Sequence, residues 1–393
     1  MQFTPLDKEA RASWRDMLEG ADGARIMAAI VLFLASAIAL PLSATEAVAG
    51  LYLLYAVAFY YMLTHSLAAV MVVGIPGMAL YGISMVATAL PHPFLLPAVY
   101  ASLILGGIGG GFLLIHCREK KYLALLLLPV AAYGIAAAVA GPLQGLWVLL
   151  PVALSLVLGF GILNCRPQTP VLLWMAAVLA LAALSGYFVW YALQGWPVAN
   201  PFEYLNGMIR SGFESMFRAA NALYAEQGME LALSDADAQL MAAVIGNVLP
   251  GLFLAGCAVL SFMIYRTNLR VLVSWGTLPR VPLRVGAMTI SPIAAVLFIL
   301  SYLISLFLGA DLVGTVCENL SLVLEPALVL VGVTSLLGGG ARRSKVSLFL
   351  LIGLVVLLLN YPTVALTAAA FLGAVRILLA TIFGSREEPE EKE

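Results

Sequence analysis

Residues 312–337 read LVGTVCENLSLVLEPALVLVGVTSLL, an apolar run interrupted by two charged side chains, Glu318 and Glu325. About 20 apolar residues in a helix cross the roughly 30 Å of bilayer hydrocarbon, so this segment reads as a membrane span. A carboxylate at that depth costs several kcal/mol unless it is paired, protonated or in contact with water. Glu318 and Glu325 are therefore the first candidate site, and the rest of the chain is read around them.

Within and just before the span, Asp311, Gly314, Glu318, Ser321, Glu325, Leu328, Gly332 and Ser335 recur at steps of three and four. Seven residues turn an α-helix by about 700°, so these positions form one nearly straight stripe. All but Leu328 are small or polar, and lipid cannot satisfy such a stripe, which is expected to face protein or water. At 1.5 Å per residue, Glu318 lies roughly 8 Å from the outer end and Glu325 about 20 Å, near the midplane. Pro326 follows Glu325 directly, removing one backbone donor and freeing a carbonyl one turn back.

Working outward, the 393-residue chain is 63% hydrophobic and 10% charged, against about 25% charged in a soluble domain. Twelve apolar stretches fall at 26–44, 47–64, 67–90, 94–115, 122–141, 145–163, 171–193, 241–265, 288–309, 312–337, 346–360 and 362–383. The last two read either as two spans or as a hairpin of half-spans around Asn360-Tyr361-Pro362. The fold class expected is all-α, a polytopic helical membrane bundle with about 12 transmembrane helices.

With the N-terminus cytoplasmic, eighteen of the twenty Lys and Arg residues fall inside; Arg210 and Arg218 fall outside, in a long loop where the positive-inside rule is weak. A single miscounted span would scramble that pattern. Both termini are therefore expected in the cytoplasm and the protein in the cytoplasmic (inner) membrane, with membrane lipid as its constant partner. A net charge of −1 gives no pull toward nucleic acid. Residues 26–44 end in Ser43-Ala44, but the long tail of mixed charge ahead of them reads as that of an uncleaved first span.

The organisation expected is a cytoplasmic tail (1–25), an N-terminal membrane bundle of about seven spans (26–193), an outer loop (194–240), a C-terminal bundle of about five spans (241–384) and an acidic tail (385–393). In the outer loop Phe202, Leu205, Ile209, Phe213, Met216, Phe217, Ala220 and Leu223 recur at helical spacing. Arg210, Glu214 and Arg218 stand four apart on the other face and are placed to form a ladder of weak ion pairs. That helix is expected to lie in the outer interface or to cap a cavity. Ser234, followed by Asp235 and Asp237, reads as the N-cap of the next span.

Few other polar groups accompany the acids. Asn247 lies in the eighth span and Asn360 in the Asn-Tyr-Pro break; with Ser321 they complete the candidate substrate- or ion-binding set of Glu318 and Glu325. Helix breaks are expected at Pro76, Pro250, Pro326 and Pro362. Gly106, Gly107, Gly109, Gly110 and Gly111 make overlapping small-xxx-small pairs, expected to serve close helix packing. Cys117, Cys165, Cys257 and Cys317 have no paired spacing, and His65, His92 and His116 sit on different loops, so no metal site or cofactor is expected. No hydrolase, zinc-protease or phosphate-loop motif is present, and the chain is not read as an enzyme.

Three segments carry a family resemblance: VIGNVLPGLFLAGCAVLSFMIYRTNLRVLVSWG, the linker LPRVPLR, and CENLSLVLEPALVLVGV. Over roughly residues 200–384 the chain resembles the YybS-like bacterial multi-pass membrane proteins (DUF2232, a domain of unknown function). That resemblance implies a distant similarity to the substrate-binding membrane subunits of energy-coupling-factor transporters, compact bundles with an outer ligand cavity. The leading functional expectation is a small-solute transporter or membrane substrate-binding subunit, with Glu325 binding a cation, proton or substrate amine and a partner subunit in the membrane or cytoplasm. The alternatives are a non-transporting membrane scaffold or assembly protein and, third, a lipid-linked intramembrane enzyme.

Overall fold

The computed structural model describes residues 23–42, 95–116, 122–163, 166, 168–195, 198–226, 234–274, 290–309, 311–337 and 345–384. Expectations on the first tail, on 47–64 and 67–90 with Pro76, and on the acidic tail lie outside these residues. Every regular element among the described residues is helical. We label them α1 (Gly23–Leu42), α2 (Leu95–His116), α3 (Tyr122–Ala140), α4 (Leu149–Leu163), α5 (Gln168–Leu193), α6 (Pro201–Glu226), α7 (Asp235–Ser274), α8 (Pro292–Leu308), α9 (Leu312–Leu337), α10 (Lys345–Asn360) and α11 (Pro362–Gly384). Short helical turns at Pro142–Gly145 and Leu146–Val148 lead into α4.

Helix boundaries follow local chemistry. Pro201, Pro292 and Pro362 each open a helix, where the missing N–H costs nothing. Ser291 caps α8 by accepting from Ile293 N at 3.3 Å, and Asn200 caps α6 by accepting from Phe202 N at 3.0 Å. Ser234 and Asp237 cap α7 reciprocally: Asp237 N donates to Ser234 Oγ at 3.2 Å, and Ser234 N donates to Asp237 Oδ2 at 2.8 Å. Gly141 and Gly309 follow the ends of α3 and α8 at positive φ, 97° and 56°, where other residues would be strained.

Among the described residues, four helical segments are long and apolar enough to cross a membrane: Gln168–Leu193, Ala236–Leu269, Leu312–Leu336 and Pro362–Ile382. Shorter apolar helices cover Met27–Ile38, Ser102–Leu113, Leu127–Ala140, Leu146–Ile162 and Pro292–Leu308. With 40 residues, α7 rises about 60 Å and extends well past the thickness of a hydrocarbon layer.

The chain divides into two compact units, 2–243 with 260–281, and 244–259 with 282–393. The boundary thus runs within α7. In the N-terminal unit α2 packs against α1 and α4, α1 against α3, and α4 against α5. The glycine face of α2 is the seam: a Cβ on Gly109 would stand 2.5 Å from Ala29 O, and one on Gly106 would stand 3.0 Å from Pro151 Cβ. The expected ladder on α6 is present, with Glu214 accepting from Arg210 Nε at 2.9 Å and 3.5 Å from Arg218 Nη2. Phe188 and Trp190 of α5 meet Phe202 and Tyr204 at the start of α6, and the Tyr187 and Tyr191 hydroxyls donate to the Pro201 and Val198 carbonyls.

In the C-terminal unit α9 packs against α11 and α8, with α10 alongside. Its core is Ala295 and Phe298 of α8, Leu328 of α9, and Ala370 and Ala374 of α11. Phe371 packs its ring 5.2 Å from Phe298 and 5.1 Å from Tyr302. Alanines of α11 thus share one core with the aromatic rings of α8.

Candidate acidic site on α9

The span expected from sequence is an unbroken helix, α9, and its stripe is largely turned inward. Gly314, Ser321, Leu328 and Gly332 are buried, and Glu325 is half-buried. Gly332 packs so closely on α11 that a Cβ there would overlap the Ala369 carbonyl, and one on Gly373 would overlap the Leu328 carbonyl. Two glycines facing each other bring the helix backbones together and fix how α9 presents its polar residues to α11.

One turn and three residues before Gly332, Glu325 reaches across the same seam. Thr367 Oγ1 of α11 donates to Glu325 Oε1 at 2.9 Å and also to its own Thr363 carbonyl at 3.1 Å. Among the described residues no cation pairs with Glu325. Its second carboxylate oxygen has no protein donor among them, which leaves acceptor capacity for a ligand.

Glu318 does not share that setting. It is exposed, its carboxylate has no hydrogen-bond partner among the described residues, and it lies about 10 Å from Glu325 along the helix. Ser321 lies between them but donates to the Glu318 backbone carbonyl at 2.8 Å, so its hydroxyl serves α9 itself. Asn360 likewise donates to the Val356 carbonyl of α10 at 2.8 Å and is exposed. The structure therefore joins Glu325 to Thr367 and brings neither Ser321 nor Asn360 to them.

Asn247 enters through its backbone. Its carbonyl accepts from Asn319 Nδ2 at 2.8 Å, while its side chain is exposed. Asn319 Oδ1 accepts from Gly251 N at 2.6 Å. Asn319 and Thr367 are the polar contacts that sequence reading missed. Asn319 adjoins Glu318 and is the sole carboxamide in its span, and Thr367 stands four residues after Thr363, one helical step along the same face. Both signals were open to view, and neither says which neighbour the side chain meets.

The expected breaks need correction. α7 continues through Pro250 and α9 through Pro326, because each proline deletes a single rung of a long ladder that neighbouring contacts hold together. Pro362, by contrast, starts α11 directly after Tyr361, so the C-terminal hairpin stretch is two helices.

The model of a family described as predicted membrane protein (DUF2232) matches residues 94–375. The match starts well before the 200–384 read from sequence and takes in the glycine seam of α2. No curated protein and no solved structure matches the chain. Spanning more than two thirds of the sequence, that match, together with helices long and apolar enough to cross a bilayer, places the chain in the DUF2232 family of predicted membrane proteins.

Proposed function

We propose that this protein is a polytopic protein of the cytoplasmic membrane, with about 12 spans and both termini inside, that binds a small cationic solute, a metal cation or a proton at Glu325 as a transporter or membrane substrate-binding subunit. One observation carries the reading: a half-buried carboxylate in a 26-residue apolar helix, with a single hydroxyl donor among the described residues, Thr367. An acid kept for packing is served better by two donors, because an unpaired polar atom in hydrocarbon is costly. Glu318, exposed and about 10 Å along the same helix, stands as a second acid on the access path. The inside bias of Lys and Arg supports the orientation.

The test is thermal unfolding of the purified full chain in detergent, with sodium, potassium, magnesium and ethylammonium chlorides titrated singly and the pH lowered stepwise. A ligand at a hundredfold excess over its Kd stabilises by about 2.7 kcal/mol. The expected outcome is a saturable rise with one of these probes that Glu325→Gln abolishes. If no probe stabilises the parent and Glu325→Gln merely unfolds earlier, the acid is a packing residue and the transport reading falls.

A second reading, a membrane scaffold or assembly protein, is favoured by the Asn319 contacts and the Gly332–Gly373 approach, both of which serve cohesion. In that reading Thr367 and Glu325 are a helix–helix fastening and the midpoint is indifferent to all four salts.

A further inference from the structure

In an α-helix the N–H of residue 251 and the C=O of residue 247 are the two ends of one ladder hydrogen bond. In α7 both ends are engaged by a side chain of α9. Asn319 Nδ2 donates to the Asn247 carbonyl at 2.8 Å, and Asn319 Oδ1 accepts from Gly251 N at 2.6 Å. Nδ2 also donates to the Thr315 carbonyl at 2.8 Å, which anchors the carboxamide to its own helix. A carboxamide has the donor and acceptor of a peptide group, so Asn319 serves as a substitute peptide unit for α7.

The neighbouring rung is missing as well. Pro250 has no N–H, so α7 cannot make the bond from residue 250 to the Gly246 carbonyl. Two consecutive rungs of one helix are thus either absent or shared with another helix. Side-chain insertion into the ladder and proline are both recognised causes of helix bending, and here they coincide. Gly251 makes the approach possible: a Cβ there would stand 2.8 Å from Asn319 Oδ1 and 2.9 Å from its Cα.

We infer that residues 247–251 form a hinge in α7, and that α9 sets its angle through Asn319. The hinge is independent of any ligand at Glu325 and goes beyond the function proposed above. Asn319 adjoins Glu318, so displacement of α9 along its acidic stripe moves the carboxamide and, with it, the hinge.

The test uses the full chain with Cys117, Cys165, Cys257 and Cys317 replaced, and spin labels at Met241→Cys and Val259→Cys. Both positions are exposed, and a span of 18 residues sets them on one face about 27 Å apart if the helix is straight. Double electron–electron resonance on the Asn319 parent is expected to give one narrow distance distribution. Asn319→Leu, which removes the substitute peptide unit, and Gly251→Ala, which expels it from the α7 side, are each expected to broaden and shift that distribution. Adding Pro250→Ala restores the missing rung and is expected to cancel both effects. Should one of the two variants fail to fold, the other still reads the hinge, and the Pro250→Ala parent serves as the straight-helix reference. A parent distribution identical to that of Pro250→Ala, or no change in whichever variant folds, would overturn the hinge.

Discussion

The seam along α2 in the N-terminal unit and the seam between α9 and α11 in the C-terminal unit are both built on glycine, yet they treat polar groups differently. On α2, Gly106 and Gly110 approach Ser36 and Ser155, and Gly109 approaches the α1 backbone. The hydroxyls there bond to backbone carbonyls: Ser36 to Phe33 O at 2.8 Å, Ser155 to Pro151 O at 2.6 Å and Gly106 O at 3.1 Å. No acid takes part. On α9 the glycine contact lies at Gly332, and a carboxylate seven residues earlier (Glu325) and a carboxamide thirteen residues earlier (Asn319) face neighbouring helices. The first seam is cohesion alone. The second keeps an ionisable group inside an apolar helix, and the proposed site rests on that difference.

The sharpest way to break the contrast is to block both glycine contacts. Gly332→Ala drives a methyl into the Ala369 carbonyl, and Gly109→Ala drives one into Ala29 O and Phe33 N. Backbone atoms cannot step aside as side chains do, so each is expected to lose about 3 kcal/mol or more, the upper end for overpacking. Denaturant unfolding in mixed micelles measures both. If the acidic seam is the functional one, Gly332→Ala also removes the saturable cation response, whereas Gly109→Ala keeps it in the fraction that folds. Loss of response in both would erase the distinction between the seams.

A gentler probe separates fastening from ligand binding. Thr367→Val removes the one donor to Glu325 among the described residues while keeping the shape of the side chain. Hydrogen bonds between membrane helices average about 0.6 kcal/mol in double-mutant cycles, so a small loss of stability is expected. The informative quantity is cation affinity in the same variant: a weaker response at nearly unchanged stability places Thr367 in the site. An unaltered affinity would leave Thr367 as packing alone.

Much of this arrangement was open to reading in one dimension. Helix existence follows from hydropathy because lipid forces every backbone group to pair internally, and described helices occupy ten of the twelve apolar stretches. The inward turn of Gly314, Ser321, Leu328 and Gly332 follows from their spacing. What sequence could not supply is partnership across helices. Asn247 is expected to act through its side chain and instead contributes its carbonyl, because Pro250 and Gly251 make that turn of α7 open to Asn319. Ser321 and Asn360 stand out as polar residues in apolar surroundings, and both spend their donors on their own helix, the commonest fate of such residues. Local chemistry alone makes Pro250 and Pro326 read as breaks, whereas continuity is decided by the rungs on either side.

The smallest expected effect lies back in the N-terminal unit and runs against intuition. Thr267 Oγ1 and Asn268 Oδ1 are fully buried and have no hydrogen-bond partner among the described residues, although Asn268 Nδ2 donates to the Ile264 carbonyl at 2.8 Å. A Cβ on Gly107 would stand 2.7 Å from Asn268 Nδ2, so the carboxamide fills space that glycine vacates and Gly107→Ala would collide with it. Thr267→Val is different, because it exchanges an unsatisfied hydroxyl for a methyl of nearly equal volume. Deleting an unpaired buried polar atom removes its desolvation cost, and the methyl keeps the packing contacts, so the net change is small and of stabilising sign. The variant is therefore expected to match or exceed the parent in unfolding midpoint. A clear loss would mean that the hydroxyl serves a water or ligand in the folded protein, and the glycine seam would then hold a polar site of its own rather than cohesion alone.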